Sequence, residues 1–299
     1  MILPPGIFEQ KHLASMTWFR SGGEARYYAA PGNEAELLEI TEWARAQQIP
    51  IQVLGLGANS LFPDEGFPGV VIHMKKFKQS SETFTVCSPI VVEVAAGIAL
   101  QNLVDQLNKA GFGGLECFVG IPGTVGGSVW GNAGAQGLGL GERVEAVRVL
   151  DPTGELAWIS GNEILWDYRS SGLGEHIVLA VRFQVEPNQD PSRLQKMSSE
   201  YLEYKHAVQP FDKKSTGCIF KNPESEKSAG KLIDECGLKG MREGGAQVSE
   251  LHGNFIVNLD GSAKTADVLA LTRRIQEKVY AKTRIRLEQE VVIIGEVRN

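Results

Sequence analysis

The run Gly120-Ile121-Pro122-Gly123-Thr124-Val125-Gly126-Gly127-Ser128-Val129-Trp130-Gly131-Asn132-Ala133-Gly134 constrains this chain more than any other stretch. Six of its fifteen residues are glycine, yet it also carries isoleucine, valine and tryptophan. A flexible linker would be polar. Backbone this rich in glycine turns tightly or lets a ligand come close. The composition therefore predicts a packed loop wrapped around a flat or phosphorylated ligand, with a glycine-rich packing turn between strands as the plainer alternative. Glycine clusters again at 55–69 and 237–245.

Periodicity around this run predicts a mixed architecture. Apolar spacing over 34–48 suits a helix with Asn33 as its N-cap. Residues 51–54 and 70–73 read as short strands, and together they make a small α+β unit ending near 77. A polar stretch over 76–82 marks a boundary. Residues 86–95 are strand-like and 100–110 helical. Strands at 144–151 and 155–159 flank a Pro152-Thr153-Gly154 turn, and another lies at 177–185. A linker over 186–191 leads to a helix at 192–204 and a loop through 209–223. A helix over 228–236 ends at Gly237 as a C-cap. A strand at 254–258, an amphipathic helix at 263–283 and a closing strand at 286–294 complete the chain.

Composition removes several function classes. No run of about 18 apolar residues exists, so no membrane span is expected. The first fifteen residues carry two prolines and an acid and do not read as a secretory signal. Cys87, Cys117, Cys218 and Cys236 share no C-x-x-C spacing, and the five histidines are scattered, so no zinc site is expected. Few, widely spaced cysteines suit a reducing cytoplasm. The net charge is −6, with no basic stripe of the kind that nucleic acid requires.

Several residues can carry chemistry. Gly55-Leu56-Gly57-Ala58-Asn59-Ser60 follows a strand, and successive backbone N–H groups in such a loop can cradle an anion. A plain tight turn is the alternative. Tyr168-Arg169 sets an arginine beside an aromatic ring. Glu288 and Glu290 would share one face of the closing strand. Buried, either acid becomes a candidate proton carrier. Cys218 lies between Gly217 and the apolar Ile219-Phe220, where a cysteine is usually packing. Lys221-Asn222 just downstream adds a cation and an amide suited to an anionic substrate.

In their order and spacing, these segments resemble the UDP-N-acetylenolpyruvoylglucosamine reductase family, flavoenzymes of peptidoglycan precursor synthesis. The similarity runs from about Thr17 to Glu296. It includes Thr17-Trp18-Phe19-Arg20-Ser21-Gly22-Gly23, Gly237-Leu238-Lys239-Gly240 and the stretch from Leu287 to Gly295. The resemblance implies an α+β fold with a two-part FAD-binding region of the vanillyl-alcohol-oxidase type over 1–77 and 78–187. A C-terminal α+β domain over 188–299 would bind the UDP-sugar. The FAD loops would be Gly55 to Ser60, with Leu56, Gly57, Ala58 and Asn59 between, and Gly120, Ile121, Pro122, Gly123, Gly126, Gly127, Asn132, Ala133 and Gly134. No histidine lies within Gly55 to Ser60, so the expected FAD is noncovalent.

By the same resemblance, NADPH reduces FAD, and the reduced flavin passes hydride from N5 to the methylene carbon of UDP-N-acetylglucosamine enolpyruvate. Arg169 and Glu290 would stabilise the enolate-like charge, and Cys218 would protonate the alpha carbon. Tyr168, Lys221 and Asn222 would bind substrate, and Lys205, His206, Lys213 and Lys214 are candidates for its diphosphate. Two departures stand out. Many members carry serine where this chain has Cys218; a thiol with a pKa of roughly 8.5 is mostly protonated at neutral pH and can donate. The interval from Arg169 to Cys218 is also short, as in the branch lacking an inserted tyrosine-bearing loop. A flavin oxidase of a sugar or small alcohol, and a nucleotide-binding scaffold, are the alternatives in other classes. The oxidase would leave the Cys218 segment and Glu290 unexplained.

Overall fold

The computed structural model describes residues 3–78 and 82–295. The chain forms two units. The first takes residues 1–8, 28–56 and 70–205, and the second takes 9–27, 57–69 and 206–299. The polar boundary expected over 76–82 lies in part outside the described residues.

In the first unit, the strand Ile51–Leu54 pairs parallel with residues 70–73. The helix Glu34–Ala46 starts where Asn33 caps it: Asn33 Oδ1 accepts from the Glu36 N–H at 3.0 Å and Glu36 Oε1 accepts from Asn33 Nδ2 at 2.8 Å. This reciprocal cap is the one the sequence predicts. A five-stranded antiparallel sheet runs in the spatial order Leu156–Ser160, Val144–Leu150, Ile177–Gln184, Val91–Ala95, Thr85–Ser88. Ile177–Gln184 in the middle of the sheet is buried at every position from Ile177 to Val181, while Val92 and Val94, and Val147 and Val149, are buried at alternate positions. Period-two patterning turns that face to the core. The helix Leu100–Lys109 meets it with Leu100, Leu103, Val104 and Leu107, the i, i+3, i+4, i+7 stripe of an amphipathic helix.

In the second unit, the strands Lys214–Cys218, Phe255–Asn258, Ala246–Val248 and Arg242–Glu243 form an antiparallel sheet in that order. The helices Ala229–Glu235 and Thr265–Thr283 share its core, contributing Leu232, Ile233, Leu271 and Ile275. Two earlier segments of the chain are tied in by buried polar groups. Asn258 donates from Nδ2 to the Phe19 carbonyl at 2.9 Å and accepts from the Ala263 N–H at 3.2 Å. Thr265 Oγ1 donates to the Phe62 carbonyl at 2.7 Å, and Asp64 caps the start of its helix by accepting from the Thr265 and Ala266 N–H groups.

Four sequence expectations are corrected. The strand expected over 86–95 is a hairpin, Thr85–Ser88 and Val91–Ala95. The loop expected through 209–223 contains the strand Lys214–Cys218, hidden by its polar composition. The closing strand expected over 286–294 shortens to Val292–Ile293, which pairs parallel with Ser60–Leu61. The glycine-rich run, expected as a loop, contains the helix Val125–Trp130. Thr124 makes that helix possible: its Oγ1 accepts from the Gly127 N–H at 3.2 Å, a capping interaction that outweighs the poor helix propensity of glycine over one short segment.

Asn258 is 1% exposed. Asn258→Ala strands a buried carbonyl and a buried N–H, each costing about 1–3 kcal/mol. The expected result is a lower urea midpoint with an unchanged slope; an unchanged midpoint would contradict it.

Candidate functional site

In the first unit the two glycine loops converge. A Cβ at Gly55 would sit 2.6 Å from Thr124 Oγ1, so only glycine lets the end of the first strand approach the cap of the glycine-rich helix so closely. The glycines of that helix divide in function. A Cβ at Gly126 would meet the Ala96 side chain at 2.7 Å, whereas one at Gly127 would meet only Thr124 Oγ1, at 3.4 Å. Gly126 is therefore a packing glycine, while Gly127 is exposed and presents open backbone. The packing reading of the run applies at Gly126.

Downstream, Asn132 is buried; its Nδ2 donates to the Asp167 carbonyl at 2.8 Å and its Oδ1 accepts from the Gly141 N–H at 2.9 Å. That amide fastens the run to the turn bearing Tyr168 and Arg169. Asp167 and Ser170 pair across the turn, and Arg169 takes φ +57°. Its guanidinium donates to the Gly134 carbonyl at 3.2 Å and lies 5.5 Å from the Tyr168 ring centroid. A non-glycine residue held at positive φ by surrounding bonds is a hallmark of functional positions. The structure thus joins Gly55, Gly120–Gly134, Tyr168 and Arg169 within one unit.

Two ionisable groups lie buried beside these loops. His73 is 4% exposed and its Nδ1 lies 3.0 Å from Tyr28 Oη. Burial, helped by Lys75 and opposed by a backbone hydrogen bond at Gly55, lowers its pKa to about 4. Lys205, a sequence candidate for the substrate diphosphate, is instead buried. Its ammonium donates to the Cys117 carbonyl at 3.2 Å and the Val119 carbonyl at 2.5 Å. Burial brings its pKa down to about 8; Cys117 opposes the shift and Arg169 adds to it. Lys205 braces the turn that enters Gly120 rather than facing a ligand from the surface.

In the second unit the structure brings Cys218 and Glu290 together. Cys218 ends its strand opposite Phe255, after a register shift that begins at Ser215. Gly217, between them, has φ +78°, a conformation that L side chains rarely adopt. The chain then changes neighbour. Phe220 bridges to Gln289, the Glu290 N–H donates to the Ile219 carbonyl at 2.8 Å, and the Lys221 N–H donates to the Glu288 carbonyl at 2.8 Å. Cys218 is half-buried. The latter half of the first glycine loop reaches the same stretch: the Val292 N–H donates to the Asn59 carbonyl at 3.0 Å, and Asn59 Nδ2 lies 3.5 Å from the Glu290 carbonyl.

The acid pair of the sequence reading separates by partner. Glu288 binds Lys221 Nζ at 2.6 Å and is exposed. Asn222 Oδ1 accepts from the Ala229 N–H at 3.0 Å, at the start of the helix Ala229–Glu235. His206 stacks on Phe211 with ring centroids 4.3 Å apart, and Lys213 pairs with Asp212 at 3.1 Å. Lys214 is exposed at the start of its strand. Among the described residues no group of three or more His, Cys, Asp or Glu side chains could hold a metal, and no helix is long and apolar enough to cross a membrane.

With this geometry in hand, comparisons with known proteins are specific. An FAD-binding-domain model matches residues 25–160, and a model of the UDP-N-acetylenolpyruvoylglucosamine reductase C-terminal domain matches residues 209–294. The UDP-N-acetylenolpyruvoylglucosamine reductase of Synechococcus sp. strain WH7803 is 41% identical over 97% of this chain and 94% of its own length. That of Gloeobacter violaceus is 37% identical over 98% and 96%. The crystal structure of the Thermus caldophilus UDP-N-acetylenolpyruvylglucosamine reductase superposes with a TM-score of 0.81 at 37% identity, covering 95% of this chain and 98% of that one.

The residues of the first unit fit FAD. Exposed backbone at Gly127 and half-buried Gly123 leave room for a flat molecule, while the Val125, Gly126 and Gly127 N–H groups are bonded to the Ile98 carbonyl, the Ala96 carbonyl and Thr124 Oγ1. His73 gives a pH prediction for the same region. Below its ordinary value of 6.5 the unfolded chain takes up a proton that the folded site refuses until about 4. The stability contributed by this neutral site is therefore complete above 6.5 and is lost as pH falls towards 4. His73→Gln should flatten this acid arm in thermal melts; an acid slope identical to the native one would contradict the assignment.

Proposed function

Because the chain belongs to the UDP-N-acetylenolpyruvoylglucosamine reductase family, we propose that its reaction is completed by Cys218 as proton donor, with Arg169 and Glu290 stabilising the developing charge. The enzyme is a reductase of peptidoglycan precursor synthesis that works with FAD and NADPH. Held by Gly55 to Ser60 and Gly120 to Gly134, FAD would supply the hydride chemistry between NADPH and the methylene carbon of UDP-N-acetylglucosamine enolpyruvate.

The single observation that carries the assignment is the backbone pairing that sets Ile219 against Glu290, directly after Cys218. Charge appears at the substrate's alpha carbon and carboxylate once hydride arrives, and preorganised polar groups act most strongly on charge that develops in the transition state. Arg169 supplies a permanent cation. Its guanidinium is oriented by the Gly134 carbonyl and the Tyr168 ring. Cys218 supplies a proton that a hydroxyl, a far weaker acid, would give up less readily. The proton moves from Sγ to the alpha carbon, and the thiolate is reprotonated from solvent before the next turnover.

Further assignments follow from the same reading. Gly55 to Ser60 and Gly120 to Gly134 hold FAD, and Tyr168, Lys221 and Asn222 contact substrate. FAD is held without a covalent bond: no histidine lies in the first loop, and His73 nearby is engaged with Tyr28. We infer a three-part chain, 1–77, 78–187 and 188–299; the two family models, over 25–160 and 209–294, support the separation of its C-terminal part. The branch without the inserted loop is supported by the interval before Cys218, which is largely filled by the strand Ile177–Gln184 and the helix Pro191–Val208. Consumption of NADPH and a UDP-sugar suits a cytoplasmic enzyme. The oxidase and scaffold alternatives leave the C-terminal match over 209–294 unexplained.

Anaerobic stopped-flow separates the two halves of the reaction. In Cys218→Ala, flavin reduction by NADPH should stay near the native rate, while reoxidation by the enolpyruvyl substrate slows on the order of 10²–10⁴-fold, the usual worth of a general acid. Full turnover by this variant would remove Cys218 from the proton-donor role.

A further inference from the structure

We propose that Asn254 is a positioning residue for the reaction: its side-chain amide fixes the backbone that sets Cys218 relative to Glu290. This rests on the assignment of Cys218 and Glu290 above and extends it to a residue that acts through the backbone between them. Asn254 is 3% exposed. Its Oδ1 accepts from the Phe220 N–H at 3.0 Å, and its Nδ2 donates to the Phe220 carbonyl at 2.8 Å. One side chain thereby satisfies both backbone groups of a single residue, as a neighbouring strand would. The Asn254 carbonyl also accepts from the Ile219 N–H at 2.9 Å.

The need for this clamp comes from the exchange of neighbours after Cys218. Up to Cys218 the chain is paired with Phe255–Asn258. Beyond it, Ile219 and Lys221 bond to Glu290 and Glu288 on one side. In an antiparallel bridge of this kind the middle residue turns its own N–H and C=O to the opposite side. At Phe220 no strand continues there; the Asn254 amide takes the place of one. Phe220 is buried, so without the amide two polar groups would be left in the core, and the chain would relieve them by sliding or twisting. Either movement shifts Cys218 and Glu290 with respect to each other.

Asn254 is itself held. The turn before it closes with the Phe255 N–H donating to the His252 carbonyl at 3.0 Å, the Asn254 N–H donates to His252 Nδ1 at 3.2 Å, and the His252 ring packs edge-on against Phe255, centroids 4.9 Å apart. Burial lowers the His252 pKa, with Lys239 adding to it, which keeps Nδ1 available as an acceptor near neutral pH. An amide in a rigid turn can thus impose a position on Phe220 rather than follow it.

The test uses the FAD-loaded enzyme and the variants Asn254→Ala and Asn254→Asp. Three quantities are read: flavin reduction by NADPH, flavin reoxidation by the enolpyruvyl substrate in a single anaerobic turnover, and the rate at which iodoacetamide alkylates Cys218, followed by peptide mass. Asn254→Ala should slow reoxidation on the order of 10²-fold, the cost of about 1 Å of misplacement, with flavin reduction near native and Cys218 alkylation altered. Asn254→Asp keeps the acceptor for the Phe220 N–H and should fall between alanine and native; it carries the test if the alanine variant does not fold. Native reoxidation with native alkylation in either folded variant would overturn the proposal, as would equal loss of both half-reactions with an unchanged Cys218. A Cys218→Ala enzyme that turns over fully would instead overturn the proton-donor assignment, while the alkylation rate would still decide whether Asn254 positions Cys218.

Discussion

The exchange of backbone partners at residues 218–221 is the constraint on which the catalytic end of this protein depends. Before it, the chain belongs to a sheet; after it, the chain pairs with the stretch that carries Glu288 and Glu290. Buried N–H and C=O groups must find partners wherever the chain goes. Ile219 and Phe220 are both about 1% exposed and share a core with Leu287 and Val291. Apolar burial therefore pins the segment from within, hydrogen bonds fix its register from both edges, and Gly217 supplies the positive φ at which the strand departs from regular pairing. Cys218 is left half-buried at the seam, next to packing.

Much of this was legible in the sequence, for identifiable reasons. Amphipathic periodicity and the Asn33 cap located the helix Glu34–Ala46, and the C-cap glycine Gly237 marked the end of the helix Ala229–Glu235. Composition failed where local chemistry opposed it. Lys214–Cys218 is polar and ends in glycine and cysteine, so nothing in its propensity announces a strand; its partner Phe255–Asn258 imposes one. Residues 286–294 look like a strand by alternation, but only Val292–Ile293 finds a strand partner. The Thr124-to-Gly127 cap was present as a threonine three residues ahead of its donor, a signal masked by the surrounding glycines. Asn254 gave no signal, because an amide that bonds main chain in a distant segment leaves no periodic trace.

Glycine and buried polar groups divide the work around the two glycine loops. Gly55 and Gly126 are small so that backbone and side chains can pack, whereas a side chain at Gly127 would meet only Thr124. Asn132, Lys205 and His73 then hold these thin segments from behind, each through bonds to main chain or to a single ring. Two of the three are ionisable, and for both burial is the largest cause of a lowered pKa. Loops with few side chains of their own get their rigidity from neighbours, and a rigid frame keeps a reactive group in place.

Central to the proposed chemistry is that the proton comes from the thiol of Cys218. The most direct measurement is the pH dependence of flavin reoxidation by UDP-N-acetylglucosamine enolpyruvate, followed anaerobically in the native enzyme and in Cys218→Ser. A thiol donor predicts a native rate that declines as pH rises through the thiol range, around 8.5 for an unperturbed cysteine, and a decline that is displaced or absent in the serine variant. Superimposable pH profiles for the two proteins would contradict it.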